Sequence, residues 1–228
     1  MKVLVACEES QEVCKAFREH GHEAYSCDIQ HCSGGHPEWH ILGDVIPLLN
    51  GDCSFITEGG VYGVIEGKWD MIIGFPPCTY LSNVATRHFS LEHTPAEKVV
   101  KRWEQRAEAA VFFMRIALAD CKRISVENPI GFMNRAFRKP DQIIEPWQFI
   151  DDKGSVEYRT KKTCLWLKGL PVLSRTGNLE RPEPVGYWIN KHGRKKALNW
   201  EDGISKKNSK FRSKTPSGIA KAMAEQWG

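Results

Sequence analysis

The feature that most constrains the fold is a series of short apolar runs, each ending on a residue that can do chemistry. Lys2–Cys7 runs into Glu8-Glu9-Ser10, His22–Ile29 carries Asp28 near its end, and Ile41–Val45 contains Asp44. Trp69–Gly74 leads into Phe75-Pro76-Pro77-Cys78, and Arg123–Glu127 ends on an acid before Asn128-Pro129. Runs this short read as buried strands. Between the first two, Gln11–His20 reads as a helix capped by Ser10, with Gly21 where a helix end favours a left-handed residue. Strand, helix and strand then make a βαβ unit. A second helix spans Pro95–Asp120, with Thr94 as cap, Pro95 at the first position and Glu97 completing a capping box. Its apolar residues Val99, Val100, Trp103, Ala107, Ala110, Val111, Met114 and Leu118 recur at helical spacing. The pattern predicts an α/β fold with a mostly parallel sheet through residue 129. Beyond it, hairpins are predicted at Gln142–Phe149 and Lys162–Leu167, then a basic stretch and a final helix over Ser217–Trp227. The glycine-rich stretch 50–68 reads as turns or a hairpin.

Composition excludes whole classes. Hydrophobic residues at 41% and charged residues at 26% are the mix of a globular chain, so extensive disorder is not expected. No apolar run approaches the ~18 residues of a membrane span, and the opening MKVLVACEES meets charge too early for a signal peptide. The expectation is a soluble, cytoplasmic protein without a membrane partner. Its eight cysteines are dispersed without a CxxC pair and should be reduced thiols. Cys27, His31, Cys32, His36 and His40 are metal-compatible types, but their spacing fits no regular zinc pattern. A loop ordered by its own polar contacts is expected there, with no metal.

Ligands of open α/β sheets bind at the carboxyl ends of the strands, and this edge is where Glu8, Asp28, Asp44, Cys78 and Glu127 fall. An acid after the second strand suits a nucleoside cofactor, because a carboxylate accepts bonds from ribose hydroxyls. Taken singly, Asp28 and Asp44 also read as turn residues. The loop Ala6–Gln11 has no GxGxxG, so a dinucleotide has no direct support. Cys78 follows two prolines, which fix the backbone and hold the thiol in place. A thiol is only a few per cent thiolate at neutral pH, but that thiolate is strongly nucleophilic. The other seven cysteines read as buried and inert.

Together these segments resemble the cytosine-C5 DNA methyltransferases, in the family's own order. Phe75-Pro76-Pro77-Cys78 with Ser82 is similar to the Pro-Cys motif, whose cysteine attacks C6 of the pyrimidine. Glu127-Asn128 is similar to the Glu-Asn motif, with Pro129 in place of valine. Glu157-Tyr158-Arg159-Thr160-Lys161 is similar to the Gln-x-Arg-x-Arg motif, with Lys161 in place of an arginine. The resemblance implies a Rossmann-like methyltransferase sheet and S-adenosylmethionine as donor, held by Ala6, Cys7, Glu8, Asp28, Ile29, Asp44, Pro76 and Ser217. Cys78, Glu127, Arg159 and Lys161 are the implied catalytic group. The family's glycine-rich first motif is replaced here by Ala6-Cys7-Glu8-Glu9-Ser10-Gln11.

The chemistry of these residue types agrees. Cytosine C5 is a poor nucleophile, and a thiolate added at C6 makes it enamine-like. An acid at N3 offsets charge on the ring, which requires Glu127 to carry or share a proton. A base inside a duplex must be flipped out, or be single-stranded already. Residues 191–214 carry nine Lys/Arg against two acids. Lys191, Arg194, Lys195, Lys196, Lys206, Lys207, Lys210, Arg212 and Lys214 could hold phosphates, with Trp188 and Trp200 available to stack. The expected organisation is a catalytic core over 1–168, a small β-rich, basic recognition element over 169–213, and a C-terminal helical segment over 214–228. The expected function is methyl transfer to C5 of cytosine in DNA, with no obligate protein partner. Open alternatives are the same chemistry on RNA or a free nucleotide, a modified donor, or a catalytically idle nucleic-acid-binding relative. A small solitary enzyme of this kind suits a phage or mobile element, where the location would be the host cytoplasm.

Overall fold

The computed structural model describes residues 1–189, 193–198 and 213–228. In chain order the elements are β1 (Lys2–Ala6), α1 (Glu12–Glu19), β2 (Glu23–Asp28), β3 (His40–Leu42), β4 (Cys53–Ile56) and β5 (Tyr62–Ile65). There follow β6 (Met71–Gly74), α2 (Ala96–Ala117), β7 (Ile124–Pro129), a short helix α3 (Met133–Ala136), β8 (Gln142–Ile144) and β9 (Thr163–Lys168). The chain ends with β10 (Gly186–Ile189), β11 (Lys195–Leu198) and a final helix, α4 (Ser217–Trp227).

Seven strands form one sheet in the order β3-β2-β1-β6-β7-β9-β8. The five from β3 to β7 are parallel, and β9 runs antiparallel to both of its neighbours. The sheet grows outward from β1 in one direction through β2 and β3, and from β6 in the other through β7. The join between β1 and β6 is therefore a topological switch point, where the connections diverge and leave a crevice at the carboxyl ends.

The central strands are apolar throughout because both faces are covered. On β1, Val3 and Val5 face a core shared with α1 and α4, while Leu4 and Ala6 face a second core under α2. β6 divides in the same way, with Met71 and Ile73 on the first face and Ile72 on the second. This is the period-2 alternation of a strand between two layers. Gly74 ends β6 against α2, where a Cβ would run into Ile116.

The α/β class and the mostly parallel sheet match the sequence reading, α4 coincides with the expected final helix, and stretch 50–68 forms the β4–β5 hairpin. Several details differ. α2 starts at Ala96 with Pro95 at the cap position and no side-chain cap bond, so the Thr94/Glu97 capping box does not form. Its buried residues are Val99, Arg106, Ala110, Phe113 and Ile116, whereas Val100, Trp103, Val111 and Leu118 are exposed. Helical spacing gives a period but not a phase, and the sheet selects a different stripe. Ser10 does not cap α1; that role falls to Glu8. β7 is not broken at Asn128-Pro129 but continues through them, opposite Cys164 and Thr163 of β9. Proline is tolerated at the strand's last position, where little of the ladder is left to lose. The segment after Pro140 is not a set of separate hairpins: β8 and β9 join the main sheet, and Pro146–Phe149 is a 3-10 turn. Among the described residues no helix is long and apolar enough to cross a membrane.

Candidate active site

On the β1 side of the switch point, three strand ends converge. Cys7 follows β1 with φ of 62°, and its N–H donates to the Cys27 carbonyl at 2.7 Å. Gln11, just before α1, has φ of 58°. Both lie in the left-handed region that glycine fills without cost. The turn of a glycine-rich loop is thus present in a chain that has no glycine there. Asp28 and Asp44 both stand close enough to Cys7 and Cys27 to act on them electrostatically. Burial first, and then these two carboxylates, push the Cys7 thiol well above its ordinary range and Cys27 up to about 12. Both thiols are inert at neutral pH. Each acid spends one oxygen on a local turn, Asp28 accepting from Gln30 N–H at 2.9 Å and Asp44 from Ile46 N–H at 3.0 Å. Ile29, next to Asp28, is 80% exposed, an apolar surface beside a carboxylate.

Glu8 turns onto the N-terminus of α1. It is 3% exposed and accepts from the N–H groups of Val13 (2.7 Å) and Cys14 (3.1 Å), the free donors of α1's first turn. Burial raises its pKa from 4.5 to about 7 despite those bonds, with Glu12 adding to the rise. A helix N-terminus in this position is the seat a dinucleotide's pyrophosphate uses. Here the chain's own carboxylate fills it.

The loop over this region is ordered by its own polar contacts. Gln11 is fully buried and exchanges bonds with His36, its amide donating to the carbonyl at 2.8 Å and its oxygen accepting from the N–H at 3.1 Å. His40 lies between Ser26 Oγ (2.9 Å) and the Gln30 carbonyl (2.9 Å), and His31 meets Glu58 at 2.7 Å. Among the described residues no group of three or more His, Cys, Asp or Glu is placed to hold a metal ion.

On the β6 side, Phe75 N–H donates to the Ala6 carbonyl at 2.9 Å, which joins the two halves. Pro76 is buried, and Pro77 and Cys78 are exposed. The Cys78 carbonyl accepts from Leu81 N–H (3.0 Å) and Ser82 N–H (2.9 Å), so the thiol sits on a closed turn. That turn and the prolines before it are tied to β7 and to the segment that follows it. Asn128 Nδ2 donates to the Pro76 carbonyl at 2.8 Å, and Phe132 N–H donates to the Leu81 carbonyl at 2.7 Å. Gly131 lies so close to Leu81 that a Cβ would collide with its backbone. The Phe-Pro-Pro-Cys and Glu-Asn segments, about fifty positions apart in sequence, are therefore one unit.

Glu127 and Lys161 line one pocket together with Phe75, Thr163 and the segment Ser213–Pro216 that leads into α4. Arg159 is buried in the loop before β9. Glu157, two residues earlier, accepts from Ser217 N–H at 2.6 Å and Gly218 N–H at 3.2 Å, capping α4 with a carboxylate. Ser217 is thus drawn to the loop that carries Arg159 and Lys161, and its N–H is engaged by Glu157. No family model matches this chain, and no curated protein matches it.

Of the basic element, Arg194 and Lys195 are exposed on the β10–β11 hairpin, where Lys195 Nζ stands 3.8 Å from the Tyr187 ring centroid. Trp188 is 55% exposed there. Lys214 pairs with Glu12 at 3.0 Å. Lys191, Lys206, Lys207, Lys210, Arg212 and Trp200 lie outside the described residues, as does the side chain of Lys196. Sequence reasoning missed Arg106, whose Nε donates to the Tyr80 carbonyl beside the Cys78 turn at 2.8 Å. Its one signal was a charge at a stripe position between Val99 and Ala110.

Proposed function

We propose that this chain is an S-adenosylmethionine-dependent methyltransferase acting at C5 of cytosine in DNA, with Cys78 as nucleophile. The observation that carries the reading is the joint geometry at one sheet edge. Two carboxylates and an apolar residue gather at the ends of β2 and β3, and a thiol on a rigid turn is tied through Asn128 to the strand bearing Glu127. A parallel sheet extended by a reversed strand, β9 slotted between β7 and β8, agrees with a methyltransferase core.

The residues present fit the donor. Asp28 and Asp44 would accept from its ribose hydroxyls and adenine amine, and Ile29 would lie against the base. Glu8 in the helix seat suits a cofactor without phosphates. When bound, the donor supplies an electrophilic methyl group. The protein's own part is at the pyrimidine. Cys78 Sγ bonds to C6, and the C5–C6 electron pair moves so that C5 becomes nucleophilic. Glu127 shares a proton at N3 and offsets the charge that develops on the ring. After C5 is substituted, its proton leaves to a base and the C6–S bond breaks, regenerating the thiolate. Lys161 lines the loop side of the pocket, where lysine gives a point charge rather than a bidentate fork, and Arg159 stands buried two residues before it.

Incubation with labelled S-adenosylmethionine and a panel of DNA, RNA and free nucleotides, followed by nucleoside mass analysis, tests this. The expected product is 5-methylcytosine in DNA. Label in RNA or nucleotides alone would move the substrate, and no label in any of them would remove the reading. The exposed Trp188 of the β10–β11 hairpin, with Tyr187 and Lys195 on its opposite face, supports nucleic acid as substrate.

A further inference from the structure

The segment between Cys78 and α2 meets two arginines of α2 at both of its ends, and one of them, Arg106, also bonds to its backbone. Arg106, on α2, is 6% exposed. Its Nε donates to the Tyr80 carbonyl, two residues after Cys78. Its guanidinium lies 3.4 Å from the ring centroid of Phe89, the last residue of the 3-10 turn Asn83–Phe89. Phe132 (4.9 Å) and Trp103 (5.1 Å) flank the same cation. Arg102, one helical turn earlier, lies over Tyr80 at 5.3 Å and Phe89 at 5.1 Å. Among the described residues neither arginine pairs with a carboxylate. A cation withdrawn from water and held only by ring faces and one carbonyl is a poor choice for stability alone. Its planar fork is suited to fixing a carbonyl and a ring at the same time. The near end is also held by the bonds from Phe132 N–H to the Leu81 carbonyl and from Asn83 N–H to the Ile130 carbonyl, whereas the middle exposes Val84 and Arg87 to solvent and the far end meets α2 through Phe89.

We propose that Arg106 is a positioning residue for the nucleophile: it clasps both ends of the Tyr80–Phe89 segment to α2 and so sets where the Cys78 turn stands. The inference rests on the reading of Cys78 as nucleophile but is testable without turnover. A nucleophile displaced by about 1 Å loses on the order of a hundredfold in rate. Arg106→Ala should therefore lower kcat by about 10–100-fold while KM for S-adenosylmethionine stays within about twofold, because the donor side is not touched. Phe89→Ala, which removes one ring at a half-exposed site, should give a smaller loss of the same kind. Arg106→Lys keeps a cation and a donor and should recover part of the rate. A merely structural arginine would instead lower thermal stability and the active fraction, with kcat per folded molecule unchanged.

The independent readout is trypsin cleavage after Arg87, followed by mass spectrometry on the native full-length protein. Cleavage should rise about tenfold in Arg106→Ala and Phe89→Ala as the segment opens locally. If the wild type methylates nothing but this cleavage rises as stated, the function is wrong and the clasp stands. If cleavage and kcat of Phe89→Ala and Arg106→Lys both equal the wild type, the clasp is overturned, whether or not Arg106→Ala folds.

Discussion

The two sides of the switch point are built by opposite means. On the β1–β2–β3 side, geometry is held by buried polar side chains: Gln11 bonded to His36, His40 between Ser26 and Gln30, and Glu8 on the α1 N-terminus. On the β6–β7 side, the backbone is held by prolines and by bonds to its carbonyls, and Cys78 is left exposed. The first side departs from the glycine-rich pattern yet makes the same kind of turn, through left-handed Cys7 and Gln11. Under the proposed function the second side keeps its residue types because those residues would themselves be the reagents. A turn can be reached by several sequences, whereas a thiolate nucleophile and an acid at N3 have few substitutes.

The largest effect that would break this comparison lies on the reaction side. Cys78→Ser should leave the fold and donor affinity intact and abolish turnover, and the wild type should trap covalently on 5-fluorocytosine DNA. Equal trapping by the serine variant would take Cys78 out of the chemistry. The next effect belongs to the donor side and concerns stability. Glu8 holds its proton up to about pH 7 when folded, against an ordinary value of 4.5. Between these values the folded chain binds more protons than the unfolded one, so this group's contribution to stability falls as pH rises through the window. The span corresponds to on the order of 3 kcal/mol. Glu8→Gln should remove that dependence, and its melting temperature relative to the wild type should be higher at pH 8 than at pH 5. The same offset at both pH values would show that the α1 cap binds an ordinary, ionised carboxylate.

How much of this was legible in the sequence follows the same division. The inner strands β1 and β6 were readable because burial on both faces makes them almost wholly apolar, and α4 because its apolar spacing stops at the chain's last tryptophan. The partners of β8 and β9 were not readable: pattern marks a strand, while pairing with β7 is a long-range choice. The buried face of α2 was misread because Val100, Val111 and Leu118 supply a second apolar stripe. Arg106 belongs to the true one only through ring stacking, which no hydropathy pattern records. In the site, Cys78, Glu127, Asp28 and Asp44 were found as chemical types at strand ends. Glu8 was expected to face a ligand and instead caps a helix, a choice made by six residues of local backbone.

A smaller effect sharpens the donor side. Asp28→Ala should weaken S-adenosylmethionine binding by about 1.5–3 kcal/mol, the scale of a hydrogen bond to a charged group. Its own turn bond to Gln30 is exposed, so melting should change little. Calorimetry that finds donor affinity unchanged would make Asp28 a turn residue only.

The smallest effect asks whether the unusual turn residue at the end of β1 has a cost. Cys7 sits at φ of 62°, a conformation that costs a non-glycine residue about 1–2 kcal/mol. Cys7→Gly should relieve that cost. Against it stand the part-buried thiol, which packs on the core under α2, and the extra freedom glycine gives the unfolded chain, worth about 0.4–1 kcal/mol. These contributions oppose one another, so the expected net change is under about 1 kcal/mol, or about 2–4 °C in melting temperature for a chain of this size. The thiol is held protonated by burial and by Asp28 and Asp44, so its loss removes no reactive group. Donor affinity and turnover should follow the wild type, since the Cys7 N–H to Cys27 carbonyl bond is a backbone bond that glycine also makes. A large fall in donor affinity in Cys7→Gly, with melting unchanged, would show that this side depends on the thiol itself and not on the turn it occupies.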